Sequence, residues 1–253
     1  GDAAKVIQYP ISDASWGAPK ETDDGYALAY SVDVDGNPIY TSDMTDEQRF
    51  DAALQAAIGF FQAAGYTWDD ATGTFTAAPE GAQMAYEVII PANGGEDHPA
   101  YLLCEYVRSA LETIGITLTI NNPSDSNQMW TTIDARTHNM YTAAFSFGGS
   151  PDPDCYDRYY SGEIDSGNNN NAISDPTLDE LLLNGRISAD QSYRRAIYKE
   201  ALDIVRDWAV EVPYYQRQNI YVYSTERVNV DTITPDITTF WDWQHDLEKL
   251  EMN

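Results

Sequence analysis

The spacing of apolar residues divides the chain into elements. The strongest helical period runs over 45–64, where Phe50, Leu54, Ala57, Ile58 and Phe61 fall on one face. Thr45 and Gln48 have the spacing of a capping box, and Gly65 stands where a helix commonly ends in a left-handed residue. Two hairpins are predicted beside this helix. One pairs 31–34 with 39–40 around Asp35-Gly36, and the other pairs 66–68 with 74–76 around 69–73.

From Met84 the pattern becomes alternating strand and helix. Residues 84–90 read as a strand ended by Pro91 and Gly94-Gly95. Residues 98–114 read as a helix with Leu102, Leu103, Tyr106, Val107, Ala110, Leu111 and Ile114 inward, closed by Gly115. Ile116, Leu118 and Ile120 share one face of the next strand. A helix capped by Ser124 is predicted over 124–136, then a strand over 140–147. This β-α-β-α-β order predicts a parallel or mixed sheet with flanking helices. Ligands meet such sheets at loops beyond the strand C-termini.

The last strand runs into 145–162, FSFGGSPDPDCYDRYYSG. It breaks at Gly148-Gly149, turns through Pro151-Asp152-Pro153 and ends in Tyr156, Tyr159 and Tyr160. A glycine-broken strand end reads either as the floor of a binding site or as an ordinary surface turn. Beyond it, 168–171 is a polar connector with nothing to bury. Asp175-Pro176 opens a helix through Leu178, Leu181 and Leu182. A longer helix over 190–210 carries the stripe Tyr193, Ile197, Ala201, Ile204, Val205 and Trp208. Residues 214–223 read as a tyrosine-rich strand and 225–230 as an edge strand. Phe240, Trp241 and Trp243 have no evident local partner. The expected divisions are 1–82, an α/β core over 83–223, and a return segment over 224–253.

Charge narrows the choice of function. The 253 residues hold 41 Asp and Glu against 14 Lys and Arg, a net charge of -27. A chain this acidic repels polyanions, so nucleic acid is excluded as a partner. No apolar run approaches the roughly 20 residues that span a bilayer. The abrupt start at Gly1-Asp2 reads as a piece cut from something longer. Cys104 and Cys155 form no CxxC pair and suit either one disulfide or two buried thiols.

Catalytic signatures are absent from the sequence. His98, His138 and His245 share no motif, and HExxH, GxSxG, GxxxxGK[ST] and GxGxxG do not occur. Asp33, Asp35 and Asn37 resemble a calcium loop only superficially, because the glycine is misplaced and the closing Glu is missing. No cofactor or metal is expected. Small residues and aromatics around one loop suit a binding surface for a small molecule, peptide or sugar.

The assembled motifs resemble the extracellular solute-binding proteins of ABC importers, of the oligopeptide, dipeptide and nickel type (family 5). Tyr9-Pro10-Ile11 with Ser15-Trp16, Ala63-Ala64-Gly65-Tyr66, and Ile114-Gly115-Ile116 match in order. So do Asn127-Gln128-Met129-Trp130, Pro151-Asp152-Pro153, Asp175-Pro176-Thr177-Leu178-Asp179, the 194–208 helix and Val212-Pro213-Tyr214-Tyr215. The resemblance implies the C-terminal lobe of a two-lobed, type II (cluster C) periplasmic-binding-protein-like fold, with 224–253 returning to the other lobe. It implies a non-enzymatic, monomeric protein outside the cytoplasm, lipid-anchored through a segment not in this chain. It would capture a peptide or other small solute for an ABC permease. Ligand contacts would come from Trp130, Phe147, Gly148, Gly149, Ser150, Asp152 and Tyr156, although Trp130 and Phe147 suit a core equally. Peptide-binding members carry an acid ahead of Asp-Pro that pairs with the ligand's ammonium. Here that position falls on Gly149 or Ser150. Capped peptides, oligosaccharides and other solutes gain weight accordingly. The rival readings are a surface adhesion module and an acidic-residue hydrolase.

Overall fold

The computed structural model describes residues 4–91, 93–145, 151–235, 237–238 and 240–253. The chain forms two compact units, one of Gly1–Ala29 with Phe145–Asn253 and the other of Tyr30–Ala144. They do not follow the divisions at 82 and 223 expected from pattern. The reason is that 1–29 joins the later part of the chain: β1 (Ala4–Lys5) finds its partner beyond residue 215, and Tyr9, Ile11 and Ala18 bury against Leu202.

The second unit begins with the expected turn at 33–37, where Val32 bridges Pro38. Asp33 Oδ1 accepts the backbone N–H groups of Asp35 and Asn37, so this carboxylate closes a turn. Helix α1 (Asp46–Ala63) has the predicted capping box between Thr45 and Gln48. A hairpin of β2 (Thr67–Asp69) and β3 (Thr74–Ala77) follows. Then come β4 (Ala85–Ile89), α2 (Pro99–Thr113), β5 (Thr117–Asn121), α3 (Ser126–Asp134) and β6 (Met140–Tyr141). The sheet order is β5-β4-β6 with both pairs parallel.

Alternate residues of β4 and its flank serve opposite faces, as the two-residue period of a strand requires. Val88 and Ile90 pack with Leu118 against Ala100 and Cys104 of α2. Ile89 packs against Met129 and Ile133 of α3. Helices on both faces explain why Val88, Ile89 and Ile90, at and just past the end of β4, are all apolar. Gly115, at φ +81°, could not carry a side chain: a Cβ there would lie 2.8 Å from Phe75 O.

Several expectations change here. In α2 the small residues Ala100 and Cys104 face the sheet, leaving Leu102 and Tyr106 56% and 59% exposed. Helix α3 is capped by Asp125, whose side chain accepts from Asn127 N, rather than by Ser124. The strand predicted over 140–147 pairs only at Met140–Tyr141, and its end at 146–147 lies outside the described residues.

In the first unit, α4 (Tyr156–Tyr159) leads to α5 (Pro176–Arg186) and α6 (Gln191–Trp208). Asp175 caps α5, with proline at its first position as predicted. Tyr159, Leu178, Leu182, Tyr198, Ala201 and Val205 form a fully buried core with Cys155. Tyr193 and Trp208 of the expected stripe are 41% and 49% exposed, and Tyr198 and Leu202 take the inward positions instead. Asn169 is fully buried, its Nδ2 donating to Tyr160 O and Ile173 O, so 168–171 is anchored by hydrogen bonds rather than left as a loose connector. Of the strand predicted over 214–223 only β7 (Gln216–Arg217) forms, antiparallel to β1. The edge strand expected over 225–230 reduces to one bridge between Val228 and Met252. Trp241 finds a local partner, stacking on His245 at 4.7 Å and donating Nε1–H to Asp246 at 3.0 Å. Cys104 and Cys155 are buried and unbonded, the second of the two alternatives.

Candidate ligand-facing site

The segment after the glycine loop is fastened at its first residue. Ser15 Oγ donates to Pro151 O at 2.7 Å, and Trp16 N–H donates to the same carbonyl at 3.2 Å. Gly17 then lies flat on Pro153, where a Cβ would approach the proline ring to 2.5 Å. The Ser-Trp-Gly sequence at 15–17 is thus the mould for the Pro-Asp-Pro turn.

Asp152 occupies the centre of a polar network. Its carboxylate accepts from Arg194 Nη1 at 2.6 Å and Nη2 at 2.7 Å, and from the Asp154 N–H at 3.0 Å. Both oxygens are engaged by one planar guanidinium, the strong two-point geometry for this pair. Arg194 holds the Asp152 carboxyl below its ordinary range. Arg194 is fixed in turn by Nε–H donation to Gly185 O at 2.7 Å. Asp154 accepts from Arg186 Nε at 2.8 Å, from Tyr156 N at 3.1 Å and from the Tyr198 hydroxyl at 3.3 Å. Burial pushes the Tyr198 phenol up to about 12.

Tyr156 is sandwiched. The Arg186 guanidinium lies 3.8 Å from its ring centroid, and the Tyr160 ring stacks at 4.4 Å and 18°. Groups this close stand on opposite faces, so neither face of Tyr156 is open to a solute. Gly162 permits the stack, since a Cβ there would collide with the Tyr160 ring. The Arg158 guanidinium covers the Phe145 ring at 3.8 Å and pairs with Glu211. Glu211 also accepts from the Tyr159 hydroxyl at 3.0 Å and from Asn171 Nδ2 at 3.2 Å.

Of the site residues expected from sequence, Asp152 and Tyr156 stand together in the first unit, joined through Asp154 and Arg186. Trp130 belongs to the second unit, on the outward side of α3, 39% exposed beside buried Met129 and Ile133. Phe147, Gly148, Gly149 and Ser150 lie outside the described residues. Sequence reasoning missed Arg158, Arg186 and Arg194. The available signal was scarcity: with 14 cations among 41 acids, several arginines crowded near one acidic turn are there to pair with it. Among the described residues no group of three His, Cys, Asp or Glu could hold a metal, and no helix is long and apolar enough to cross a membrane.

Comparison with known proteins gives this scaffold a family. The family described as bacterial extracellular solute-binding proteins, family 5 Middle, matches residues 2–167. No curated protein matches the chain significantly. Among solved structures, NikA from Brucella suis in complex with Fe(III)-EDTA is similar with a TM-score of 0.62 at 15% identity, over 99% of this chain and 43% of that one. The oligopeptide-binding protein AppA from Bacillus subtilis, in complex with a nonapeptide, is similar with a TM-score of 0.60 at 17% identity, over 84% of this chain and 36% of that one. The dipeptide binding protein from Pseudoalteromonas sp. SM9913, in complex with Met-Leu, gives 0.59 at 16% identity, over 85% and 35%. The chain therefore spans about a third to two-fifths of the length of these structures. At such identities the likeness establishes the α/β fold of periplasmic binding proteins, while the sequence match over 2–167 establishes kinship. The chain belongs to the bacterial extracellular solute-binding proteins of family 5.

Proposed function

We propose that the chain is the C-terminal lobe of a solute-binding component of an ABC importer. It captures a peptide or related solute outside the membrane, delivers it to a permease, and catalyses nothing. The family match over 2–167 carries this reading. In it, 224–253 returns toward the other lobe, and the whole protein is held at the membrane by a lipid anchor. Trp130, Phe147, Gly148, Gly149 and Ser150 contact the solute. Asp152 and Tyr156, the other two candidates, offer the solute less, because the first is engaged by Arg194 and the second is covered on both faces.

The engagement of Asp152 favours solutes without a free α-ammonium. Gly149 and Ser150 carry no charge, and Asp152 has both oxygens committed, so an ammonium would lack the charge-assisted bond worth about 2 kcal/mol. Calorimetry with free and N-acetylated tetrapeptides, maltotriose and a nickel–histidine complex tests this on the 253-residue chain and on a two-lobed parent. A lobe that supplies half of a clamp binds weakly alone and gains affinity in the parent. Micromolar binding by the isolated chain overturns the two-lobe reading. Preference for free over acetylated peptides overturns the solute class.

A further inference from the structure

The two compact units hold similar excess charge and differ in what balances it. Residues 30–144 contain sixteen acids against three cations, Arg49, Arg108 and Arg136, a net charge of -13. The other unit contains 25 acids and eleven cations. Among the described residues, eight of those eleven cations form ion pairs with acids of their own unit. In 30–144, Arg108 pairs with Glu105 and Glu112, whereas Arg49 donates to the carbonyls of Thr41 and Met44. Between Arg49 and Arg108 stand eight acids and no Lys or Arg, and that stretch carries β2, β3 and β4.

We propose that 30–144 is an ionic-strength-dependent folding unit, held together by diffuse monovalent counter-ions where the other unit relies on internal pairing. A compact unit of this length has a radius of gyration of about 13 Å. The screening length is about 30 Å at 0.01 M salt, so there each acid repels every other acid of the unit. At 0.1 M it falls to about 10 Å, and only near neighbours still repel. Such self-repulsion weighs on the compact state and is relieved when the chain expands, so added salt stabilises 30–144. In the other unit salt also weakens pairs such as Arg195 with Asp23 and Arg186 with Asp154, and the two effects offset. The dependence needs no cation site and is independent of which solute the protein carries.

Hydrogen exchange of the 253-residue chain follows the two units separately, read by mass spectrometry at neutral pH and referred to the unfolded chain in the same salt. From about 0.01 to about 0.3 M NaCl, protection over β4 and β5 rises about tenfold or more, and protection over α5 and α6 rises by a smaller factor. Sodium, potassium and choline chlorides act alike at equal ionic strength, because screening is indifferent to the cation. Four exposed acids are replaced together in one variant, Asp51→Asn, Asp70→Asn, Glu80→Gln and Asp134→Asn, which takes the unit from -13 to -9. The variant gains protection at about 0.01 M salt and loses part of the salt dependence. Protection over β4 and β5 that ignores salt, an equal or larger gain over α5 and α6, an effect tied to one cation, or a variant with the wild-type salt dependence each overturn the proposal.

Discussion

Arg194 grips both carboxylate oxygens of Asp152, 42 residues away in sequence, at 2.6 and 2.7 Å. The arginine side chain is 14% exposed and the aspartate 34%, so solvent screens the pair only partly. Arg194→Met leaves the carboxylate without its fork and should cost about 2 kcal/mol in urea denaturation. Arg194→Lys recovers part of that loss, since a single ammonium cannot reproduce two parallel bonds. In a double-mutant cycle Asp152→Asn and Arg194→Met should fall short of additivity by at least about 0.5 kcal/mol. Simple additivity would show that the pair contributes nothing as a pair.

The same pair gives a pH dependence of known sign. Asp152 has a lowered folded-state value, so between that value and the ordinary carboxylate range near 4 the unfolded chain binds more protons. The stability it supplies is complete above that range and is lost as pH falls through the folded value. Melting temperatures measured from neutral pH downward should therefore drop less steeply in Arg194→Met than in wild type. Parallel acid limbs in the two proteins would refute the assignment.

Two helical glycines should answer alanine in opposite directions. Gly185 lies against Tyr198 in the fully packed α5–α6 core, where a Cβ would come within 2.6 Å of the ring. Gly185→Ala should destabilise by about 1–3 kcal/mol through overpacking. Gly59, inside α1, would place its Cβ 3.5 Å from Val34 Cγ1, an ordinary contact. There alanine should stabilise by about 0.5–1 kcal/mol, the usual gain within a helix. Equal signs from the two melts would contradict the packing described for α5 and α6.

Local rules made much of this fold legible. The Thr45–Gln48 box, the Asp175-Pro176 start and the glycines at 65 and 115 each act within one turn of chain, and each formed as read. Legibility failed where the deciding partner is remote. The apolar stripe of α2 offered two adjoining faces, and only the sheet decides for Ala100 and Cys104 over Leu102 and Tyr106. Strand propensity over 214–223 could not reveal that, among the described residues, only Gln216 and Arg217 find partners, in Lys5 and Ala4. At the site, Pro-Asp-Pro was visible as a turn, but the arginine that engages Asp152 lies 42 residues away in sequence.

Burial of neutral acids predicts behaviour at the alkaline end. Cys155 is raised by burial to about 12 and Tyr159 is held well above its ordinary value, also by burial. Unfolded thiols ionise near 8.5 and unfolded phenols near 10, so the folded unit loses stability as pH climbs from the first of these toward 12. Native Cys155 and Cys104 should resist iodoacetamide at pH 8.5 and react together once urea unfolds the chain. Fast native labelling of Cys155 would show that its pocket opens without unfolding.

Adjacent residues of α3 separate packing from binding. Met129 is 4% exposed against Ile89 and Ile133, whereas Trp130 turns outward at 39% exposure. Met129→Ala empties a core position and should cost about 2–4 kcal/mol. Trp130→Ala should cost less than Met129→Ala, because Trp130 is 39% exposed where Met129 is 4% exposed. If Trp130 contacts the solute, the same substitution should weaken solute binding by the two-lobed parent about tenfold or more, the scale of a buried aromatic anchor. A Trp130→Ala variant that keeps full affinity removes Trp130 from the solute surface, and one that unfolds the second unit makes it a core residue after all.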